Sequence, residues 1–302
     1  MICQNAFGHE EEIRQLLIQS LIQTNTNRVD AWMKHEFDPS QMFCFFEDGI
    51  LTSCLQIKRT TFKFQDQYCR VCSIPVAATL PDYRQRHHFS LLLDAALDQA
   101  SHNDLLTVVY TSFPKLFLSR SFHPVSTSKT YWISGSSIDQ GHEESVRSYT
   151  DKDDLYPLYQ SFMQCFDGSI LYPKEEFDNK LSLAKDQRKK VLISMDSDQK
   201  PNGFMILRPY PNYAKIEMIQ YLHTDAIFNL LKYAGLRFKD ISLTVSQDER
   251  FEKLLPQQSP RNQGTFLVRT NNYKLFSKWI HQDIRNAKQA FELIDKPLWN
   301  HF

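Results

Sequence analysis

The spacing of apolar positions changes from helical to strand-like early in the chain. Residues 10–24 carry apolar side chains on one face and Glu, Arg and Gln on the other, which indicates an amphipathic helix, and a weaker helical pattern covers 28–37. Two short strand-like runs follow at 42–46 and 50–57, and the pair Asp48-Gly49 between them suits a mirror-image hairpin turn. The pattern therefore predicts helices followed by a β-hairpin.

A strand that leads directly into a helix is the most informative feature of the first half. Residues 68–78 are rich in Val, Ile and Cys and predict a strand, and Pro81 forces an extended or turn conformation on Leu80. From Arg84 onwards apolar residues recur at helical spacing, and another strand is predicted at 105–111. The first N–H groups of a helix have no partner within it and can bind an anion. This junction is therefore a candidate phosphate site.

The order strand, helix, strand returns in the second half of the chain. Residues 134–145 are small and polar and include two glycines, which predicts a linker. The elements predicted beyond it are helices at 151–166 and 174–185, strands at 191–195 and 204–207, a strand at 215–221, a helix at 225–238 and a strand at 241–245. We therefore predict a first domain at 1–140, a second at 146–270 and a short helical tail at 271–302.

Composition narrows the class of protein. With 302 residues, of which 42% are apolar, the chain has enough material for real cores and is globular. Thirty-five basic residues balance thirty-five acidic ones, so no global field would draw the chain to nucleic acid or to an anionic membrane. No basic leader followed by an apolar run and no stretch of about 18 apolar residues occurs, which makes a cytoplasmic location the expectation.

The cysteines and the paired histidines are the candidates for redox or metal chemistry. Six cysteines in so long a chain do not form a disulfide framework. Cys69 and Cys72 have the C-x-x-C spacing of a redox or zinc half-site, but they lie in a strand-like run and no second pair completes a tetrahedron. His87 and His88 are adjacent, so on a helix their side chains would point about 100° apart. We expect reduced core thiols and no metal site.

One segment resembles a known family. Val76-Ala-Ala-Thr-Leu-Pro-Asp-Tyr-Arg84 is similar to the V-x-x-T-x-P-x-Y-R entry to the pyrophosphate loop of the GNAT superfamily of acyl-CoA N-acyltransferases. The chain most resembles the enhanced-intracellular-survival type, in which two GNAT-like domains precede a smaller C-terminal domain. Residues 166–170, and the strand 216–219 before the helix 226–233, resemble its second, CoA-free domain. The likeness covers most of 1–270 and implies a tandem α+β fold with mixed central sheets flanked by helices.

The resemblance also implies where acetyl-CoA, or another acyl-CoA, would bind as cosubstrate. In such enzymes a strand lies along pantetheine, and the N–H groups of an R-x-x-G-x-G/A loop surround the pyrophosphate. His87 stands at the first glycine of that loop, where a positive φ would carry a penalty. Alternatively the two arginines and two histidines of 84–88 hold phosphate by side-chain charge, or this is a basic helix start without a ligand. The implied cofactor-binding residues are Ile74, Val76, Ala77, Ala78, Arg84, Gln85, Arg86, His87, His88, Phe89 and Ser90.

The catalytic residues that the family would supply are altered in this sequence. The family's tyrosine, which protonates the departing thiolate, is replaced by Phe117, and the glycine that follows it is replaced by Ser121. Tyr110 is a speculative substitute acid, and the alternative, which the sequence favours, is an ordinary strand tyrosine. The resemblance also implies that the terminal carboxylate, here on Phe302, acts as base. The alternative is a tail that simply packs on the second unit.

The resemblance implies an acetyl-CoA-dependent N-acetyltransferase that transfers the acyl group directly to an amine on a small molecule or peptide. The alternative is a catalytically degenerate GNAT-fold protein that binds a ligand or a protein partner without turnover, which His87, Phe117 and Ser121 together favour. The sequence fixes no acceptor and leaves a homo-oligomer open. We expect no nucleic-acid or membrane partner.

Overall fold

The computed structural model describes residues 1–21, 25–255 and 258–299, which form two compact units. Unit 1 contains the described residues of 1–62, 67–125 and 266–293, and unit 2 contains those of 63–66, 126–265 and 294–299. These units alternate along the chain, whereas the domains expected at 1–140, 146–270 and 271–302 follow one another. The expected boundaries stay a prediction.

The elements are numbered in chain order. The strands are β1 (Ile2–Gln4), β2 (Met42–Glu47), β3 (Ile50–Phe64), β4 (Gln67–Thr79), β5 (Leu106–Thr111), β6 (His123–Ser134), β7 (Val146–Ser148), β8 (Ser169–Leu171), β9 (Lys190–Met195), β10 (Pro201–Pro209), β11 (Tyr213–Tyr221), β12 (Asp240–Ser246) and β13 (Arg261–Thr270). The helices are α1 (Glu10–Ser20), α2 (Thr26–His35), α3 (His88–Asn103), α4 (Lys115–Leu118), α5 (Tyr156–Met163), α6 (Lys174–Asp186), α7 (Thr224–Gly235), α8 (Tyr273–Trp279) and α9 (Ala287–Phe291).

Unit 1 is a mixed sheet covered by helices on both faces. Its strand order is β1-β2-β3-β4-β5-β13, in which β1, β2 and β3 are antiparallel and β4 and β5 are parallel. The apolar face of α1, including Ile13 and Leu16, packs in one core. The apolar face of α3, including Leu92 and Leu93, packs in a second core with residues of β4 and β5. Burial of these two helix faces holds the sheet between them.

Unit 2 has the strand order β6-β12-β11-β10-β9-β7, with β11 and β12 parallel. The apolar face of α7, including Ile227 and Leu230, packs in its core. Gly203 of β10 permits this close packing, because a Cβ atom there would lie 2.8 Å from the Cβ of Ala226. Mixed sheets flanked by helices confirm the predicted α+β class.

The structure confirms the local predictions near the start of the chain, with shifted ends. The hairpin turn lies at Asp48 (φ +51°) and Gly49 (φ +79°), the left-handed conformation that a mirror-image turn requires. α1 ends at Ser20 because Leu21 is extended, and residues 22–24 lie outside the described part of the chain. The described part of the helical tail expected at 271–302 contains two short helices, α8 and α9.

The segment 134–145, for which a linker was expected, packs against α7 within unit 2. A Cβ atom on Gly135 would lie 2.4 Å from the carbonyl oxygen of Gly235, and one on Gly141 would lie 2.3 Å from that of Phe228. The two glycines therefore serve close backbone approach rather than linker flexibility.

All six cysteines are free thiols. Burial raises the pKa of Cys44, Cys69 and Cys72 to about 12, so these three stay protonated at neutral pH. Cys165 is exposed and departs from the expectation of core cysteines. Within 1–21, 25–255 and 258–299 no group of three or more His, Cys, Asp or Glu side chains could hold a metal ion, and no helix is long and apolar enough to cross a membrane.

Candidate active site

A gap opens between the two parallel strands of unit 1. β4 and β5 pair at Cys72↔Thr107 and Ser73↔Val108, and in the described chain the pairing stops there although both strands continue. The interruption comes just before Pro75, which has no N–H to donate to a neighbouring strand. Beyond this point the backbone groups of both strands can bind a ligand that lies between them.

The same proline marks an irregularity in β4. Ile74 and Ala77 pack in the core with α3, whereas Val76 and Ala78 pack in the core with α1. In a regular strand Ile74, Val76 and Ala78 would share one face, so the alternation is broken at Pro75. This is the behaviour of a β-bulge, which turns backbone groups in a new direction. The four predicted strand residues therefore lie along the gap but divide between the two faces of the sheet.

The loop between β4 and α3 contains two left-handed residues directly before the helix. Gln85 (φ +65°) and His87 (φ +64°) are both left-handed, and α3 begins at His88. The first described amide of this helix with a backbone acceptor is that of Leu91, which donates to the His87 carbonyl at 3.0 Å. The preceding amides are free to point at a ligand, and such a concave group of N–H donors binds anions. His87 thus keeps the conformation of the glycine it replaces.

Most of the cationic side chains near this loop are engaged elsewhere. Arg84 donates to the backbone carbonyl of Ser20 at 2.9 Å. Arg86 donates to Glu47 Oε1 at 3.2 Å, and its guanidinium lies 4.9 Å from the centre of the Tyr83 ring. His87 is exposed and has no polar partner among the described residues. The geometry therefore favours phosphate binding by backbone amides over binding by four side-chain charges.

His88 is a structural residue that anchors the helix start to the β2–β3 hairpin. Its side chain is 6% exposed and stacks on Phe45 with ring centres 4.2 Å apart. Nδ1 lies 3.0 Å from Thr52 Oγ1, and Nε2 lies 3.0 Å from Glu47 Oε2. Held on both nitrogens, the imidazole cannot turn towards a ligand without losing these contacts. Phe89 packs in the core beside it, and Ser90 accepts a bond from Arg120 through its carbonyl.

Phe117 is a core residue at the place where the family has a tyrosine. It is 4% exposed and packs edge-on against Phe89 and Phe122, with ring centres 5.6 and 5.4 Å away. Ser121 has φ +59°, so the glycine-like conformation persists here too. The replacement keeps the packing but removes a hydroxyl proton donor.

Tyr110 lies two residues beyond the last β4–β5 pair and is half-buried. Val109 packs in the core with α3, so alternation points Tyr110 to the opposite face, away from Phe117. Its side chain can therefore reach the gap only from the other side of the sheet. Its role as an acid stays a prediction.

Phe302 lies outside the described residues, so its carboxylate has no described position. Of the described tail, residues 294–299 belong to unit 2, whereas 271–293 belong to unit 1. Trp299 is 2% exposed, with ring centres 4.8 Å from Phe162 and 5.2 Å from Phe166. The amide of Leu298 donates to Asp248 at 2.8 Å. Both the packed tail and the role of the Phe302 carboxylate stay predictions.

Three residues of this site escaped the sequence argument. Pro75 interrupts the strand, and Glu47 and Thr52 hold His88 from the hairpin. Pro75 carried a readable signal, since proline inside a strand-like run marks an edge or a bulge. The hairpin contacts carried none, because Glu47 and Arg86 are 39 positions apart in sequence.

The parted strands β4 and β5 and the start of α3 lie within the region of a family match. A family model described as acetyltransferase (GNAT) domain matches residues 6–120, the region from the start of α1 to the end of α4. Residues 6–120 are therefore similar to a GNAT acetyltransferase domain. No curated protein matches the chain.

Solved structures share the fold over most of the chain. A probable N-acyltransferase from Enterococcus faecalis V583 has a TM-score of 0.72 at 16% identity and covers 91% of this chain and 73% of its own. Saccharomyces cerevisiae N-myristoyltransferase with bound myristoyl-CoA has a TM-score of 0.64 at 12% identity, covering 90% and 78%. Eis1 from Mycobacterium abscessus has a TM-score of 0.61 at 13% identity, covering 90% and 74%. At these identities the likeness concerns the fold alone.

Proposed function

We propose that the protein transfers an acyl group from acyl-CoA to an amine, with acetyl-CoA as the first donor to test. The observation that carries the proposal is the gap beyond Ser73↔Val108 together with the left-handed loop at Gln85 and His87. An extended pantetheine arm fits a gap between strands, and a diphosphate fits the free amides at the start of α3. The GNAT match to residues 6–120 supports the same reading.

The reaction needs little from the protein besides positioning and polarisation. A neutral amine attacks the thioester carbonyl, a C–N bond forms, the C–S bond breaks, and the amine proton passes to a base while the thiolate leaves. Backbone groups of β4 at residues 74–78 would hold pantetheine and polarise the carbonyl. Tyr110 as acid and the Phe302 carboxylate as base are the candidates from sequence.

A binding protein without turnover is the second candidate. Phe117 is buried between two other phenylalanine rings and has no proton to give the departing thiolate. Loss of a general acid commonly costs 100-fold or more in rate. Such a protein would still bind acyl-CoA, because the loop and the gap do not depend on Phe117.

The remaining features of the proposal follow from the resemblance. The acceptor would be an amine on a small molecule or peptide, the domain at 146–270 would lack a cofactor, and the protein would act in the cytoplasm. A homo-oligomer is compatible with this function.

Isothermal calorimetry with acetyl-CoA and with myristoyl-CoA tests binding first. We expect heat with at least one donor, and myristoyl-CoA is included because the yeast N-myristoyltransferase of similar fold was solved with it. Absence of heat and of any thermal shift at millimolar ligand would sink both candidate functions. CoA without an acyl group is the control for the contribution of the diphosphate.

Thiol release then separates the enzyme from the binding protein. The protein is mixed with the donor that binds and with a panel of polyamines, aminoglycosides and peptides with free amines. Release that depends on both amine and protein supports the transferase. Binding without release from any amine supports the second candidate.

A further inference from the structure

A carboxylate lies beside the phosphate loop of unit 1. Glu47 is the last residue of β2, directly before the Asp48-Gly49 turn, and its side chain is 33% exposed. One oxygen lies 3.2 Å from Arg86 Nη1 and the other 3.0 Å from His88 Nε2. Arg86 stands between Gln85 and His87, the two left-handed residues. The guanidinium of Arg86, a residue of this loop, is therefore paired with a carboxylate of the protein itself.

The two side chains that face the Glu47 carboxylate differ in freedom. His88 is 6% exposed and fixed by Phe45 and Thr52, whereas the Arg86 side chain is 52% exposed. A long exposed arginine can turn at small cost, and its planar group binds phosphate oxygens through two parallel hydrogen bonds. Arg86 can therefore exchange Glu47 for a phosphate, and His88 cannot.

The charge of Glu47 also acts on the ligand directly. A negative charge near a helix start is favourable, which is why a phosphate binds there. Glu47 already supplies such a charge beside the first turn of α3. A diphosphate in the loop meets this like charge at close range, and the repulsion lowers its affinity.

We propose that Glu47 is an affinity-determining residue of the acyl-CoA site, where it competes with the diphosphate for Arg86 and weakens binding. The inference rests on the proposed function. Binding of acyl-CoA transfers Arg86 from the Glu47 carboxylate to the phosphates and leaves Glu47 paired with His88. The free protein keeps its cationic loop neutralised until the ligand arrives.

The test is the dissociation constant of acyl-CoA for Glu47→Gln, measured by calorimetry at low salt. Glutamine keeps the shape and can still accept a hydrogen bond from Arg86, but it carries no charge. We expect binding about three- to ten-fold tighter, since Arg86 no longer has to leave a partly exposed ion pair and the repulsion of the diphosphate is removed. The gain should shrink at high salt. Unchanged or weaker binding would overturn the inference.

Two further variants isolate the mechanism. In an Arg86→Gln background, Glu47→Gln should increase the affinity for acyl-CoA by a smaller factor than in the unmutated background, because the competition for the guanidinium is gone. An unreduced gain there would reject the role of Arg86. Asp98→Asn removes the same charge ten residues further along α3, about 15 Å from the loop, and should leave affinity unchanged.

Thermal unfolding of each variant checks that the fold persists. If the glutamine variant unfolds early, Glu47→Asp retracts the carboxylate from Arg86 by one methylene. It should then tighten binding about two-fold, and no tightening would again overturn the inference. Failure of the unmutated protein to bind acyl-CoA would instead refute the proposed function.

Discussion

Each unit contains two parallel strands that part, but the connections that follow them differ. In unit 1 the β4–β5 pair extends over two positions, and residues 80–87 then lead to α3. In unit 2 the β11–β12 pair extends over four positions, from Tyr213↔Asp240 to Ile216↔Leu243. Only Leu222 and His223 separate β11 from α7. The shared strand order makes a gap in both, but only the first has room for a phosphate loop.

The two helix starts differ in conformation and charge. α3 follows left-handed residues at Gln85 and His87 and has no acidic residue in its first turn. α7 follows an extended His223 (φ −140°) and has Asp225 in its first turn. The aspartate already supplies the negative charge that a helix start favours. The comparison supports the proposal that the anion site lies at α3, where a left-handed loop precedes the helix, and not at α7.

The end of β12 is also bound by the chain itself. Ser246 Oγ donates to the Leu298 carbonyl, and the Leu298 amide donates to Asp248. Trp299 then packs on Phe162 and Phe166. The carboxyl end of β12 is therefore tied to the tail at Leu298.

Trp299→Ala should have the largest effect on the free energy of unfolding, and this effect should be confined to unit 2. Removing a side chain that is 2% exposed costs about 3–5 kcal/mol of the free energy of unfolding. Urea unfolding measures this loss, and acyl-CoA affinity should change less than two-fold. Trp132→Ala, at 49% exposure, is the matched control and should cost under about 1.5 kcal/mol. A large fall in acyl-CoA affinity for the Trp299 variant would refute the contrast between the gaps.

Glu249→Gln should change how the stability of the protein depends on pH. Burial raises the pKa of Glu249 from 4.5 to about 8. The hydroxyl group of Tyr221 donates a hydrogen bond to Oε1 of this side chain. The pKa of Glu249 is higher in the folded protein than in the unfolded chain. The stabilisation that this group contributes is therefore greatest below pH 4.5 and is lost progressively as the pH rises to about 8. Glutamine cannot ionise, so the stability of the variant should fall less as the pH rises. At pH 9 its free energy of unfolding should exceed that of the unmutated protein by a few kcal/mol.

Unfolding by urea at pH 5, 7 and 9 measures this slope. Glu252→Gln is the control, because the pKa of Glu252 is lowered by its hydrogen bond from Tyr131. That variant should lose the small stabilisation that the ionised carboxylate contributes above its ordinary pKa. Parallel pH profiles for Glu249→Gln and the unmutated protein would show that the buried carboxyl group does not control the slope.

Much of unit 1 could be predicted from sequence because its signals are local. The apolar face of α1 and the Asp48-Gly49 turn are read from neighbouring residues, and the strand before α3 was expected at 68–78. The resemblance at 76–84 located the loop. What sequence missed depends on contacts between distant residues, such as Glu47 with Arg86, or on chain segments that return, such as 266–293 in unit 1.

The sequence also could not decide how His87 and Phe117 would be accommodated. At His87 the sequence predicted a penalty for a positive φ. The structure shows that His87 has a positive φ and that its imidazole is exposed to solvent. At Phe117 the sequence predicted the loss of a hydroxyl group. The structure shows that the phenylalanine ring packs against Phe122. Both outcomes depend on neighbours that only the folded chain brings together.

Phe117→Tyr tests whether unit 1 lacks only a proton donor. If the hydroxyl reaches the gap, thiol release should rise about 10- to 100-fold, because a general acid is restored. Stability should fall by about 1–3 kcal/mol if the oxygen stays without a partner. Phe122→Tyr adds the same group to the same cluster and should destabilise without raising the rate. A rate unchanged by Phe117→Tyr would favour the binding protein.

His87→Gly should have the smallest effect and bears on the left-handed loop that distinguishes unit 1. At φ +64° a residue with a side chain is strained, and glycine is not, so the variant should be more stable by about 0.5–1 kcal/mol despite the greater freedom of its unfolded chain. His102→Gly, inside α3, should cost a similar amount because helical backbone disfavours glycine. Acyl-CoA should bind equally well or slightly more tightly, since backbone amides hold the phosphate. Binding weakened five-fold or more would mean that the imidazole itself contacts the ligand, and the loop would then differ from its unit 2 counterpart in side-chain chemistry as well as in backbone shape.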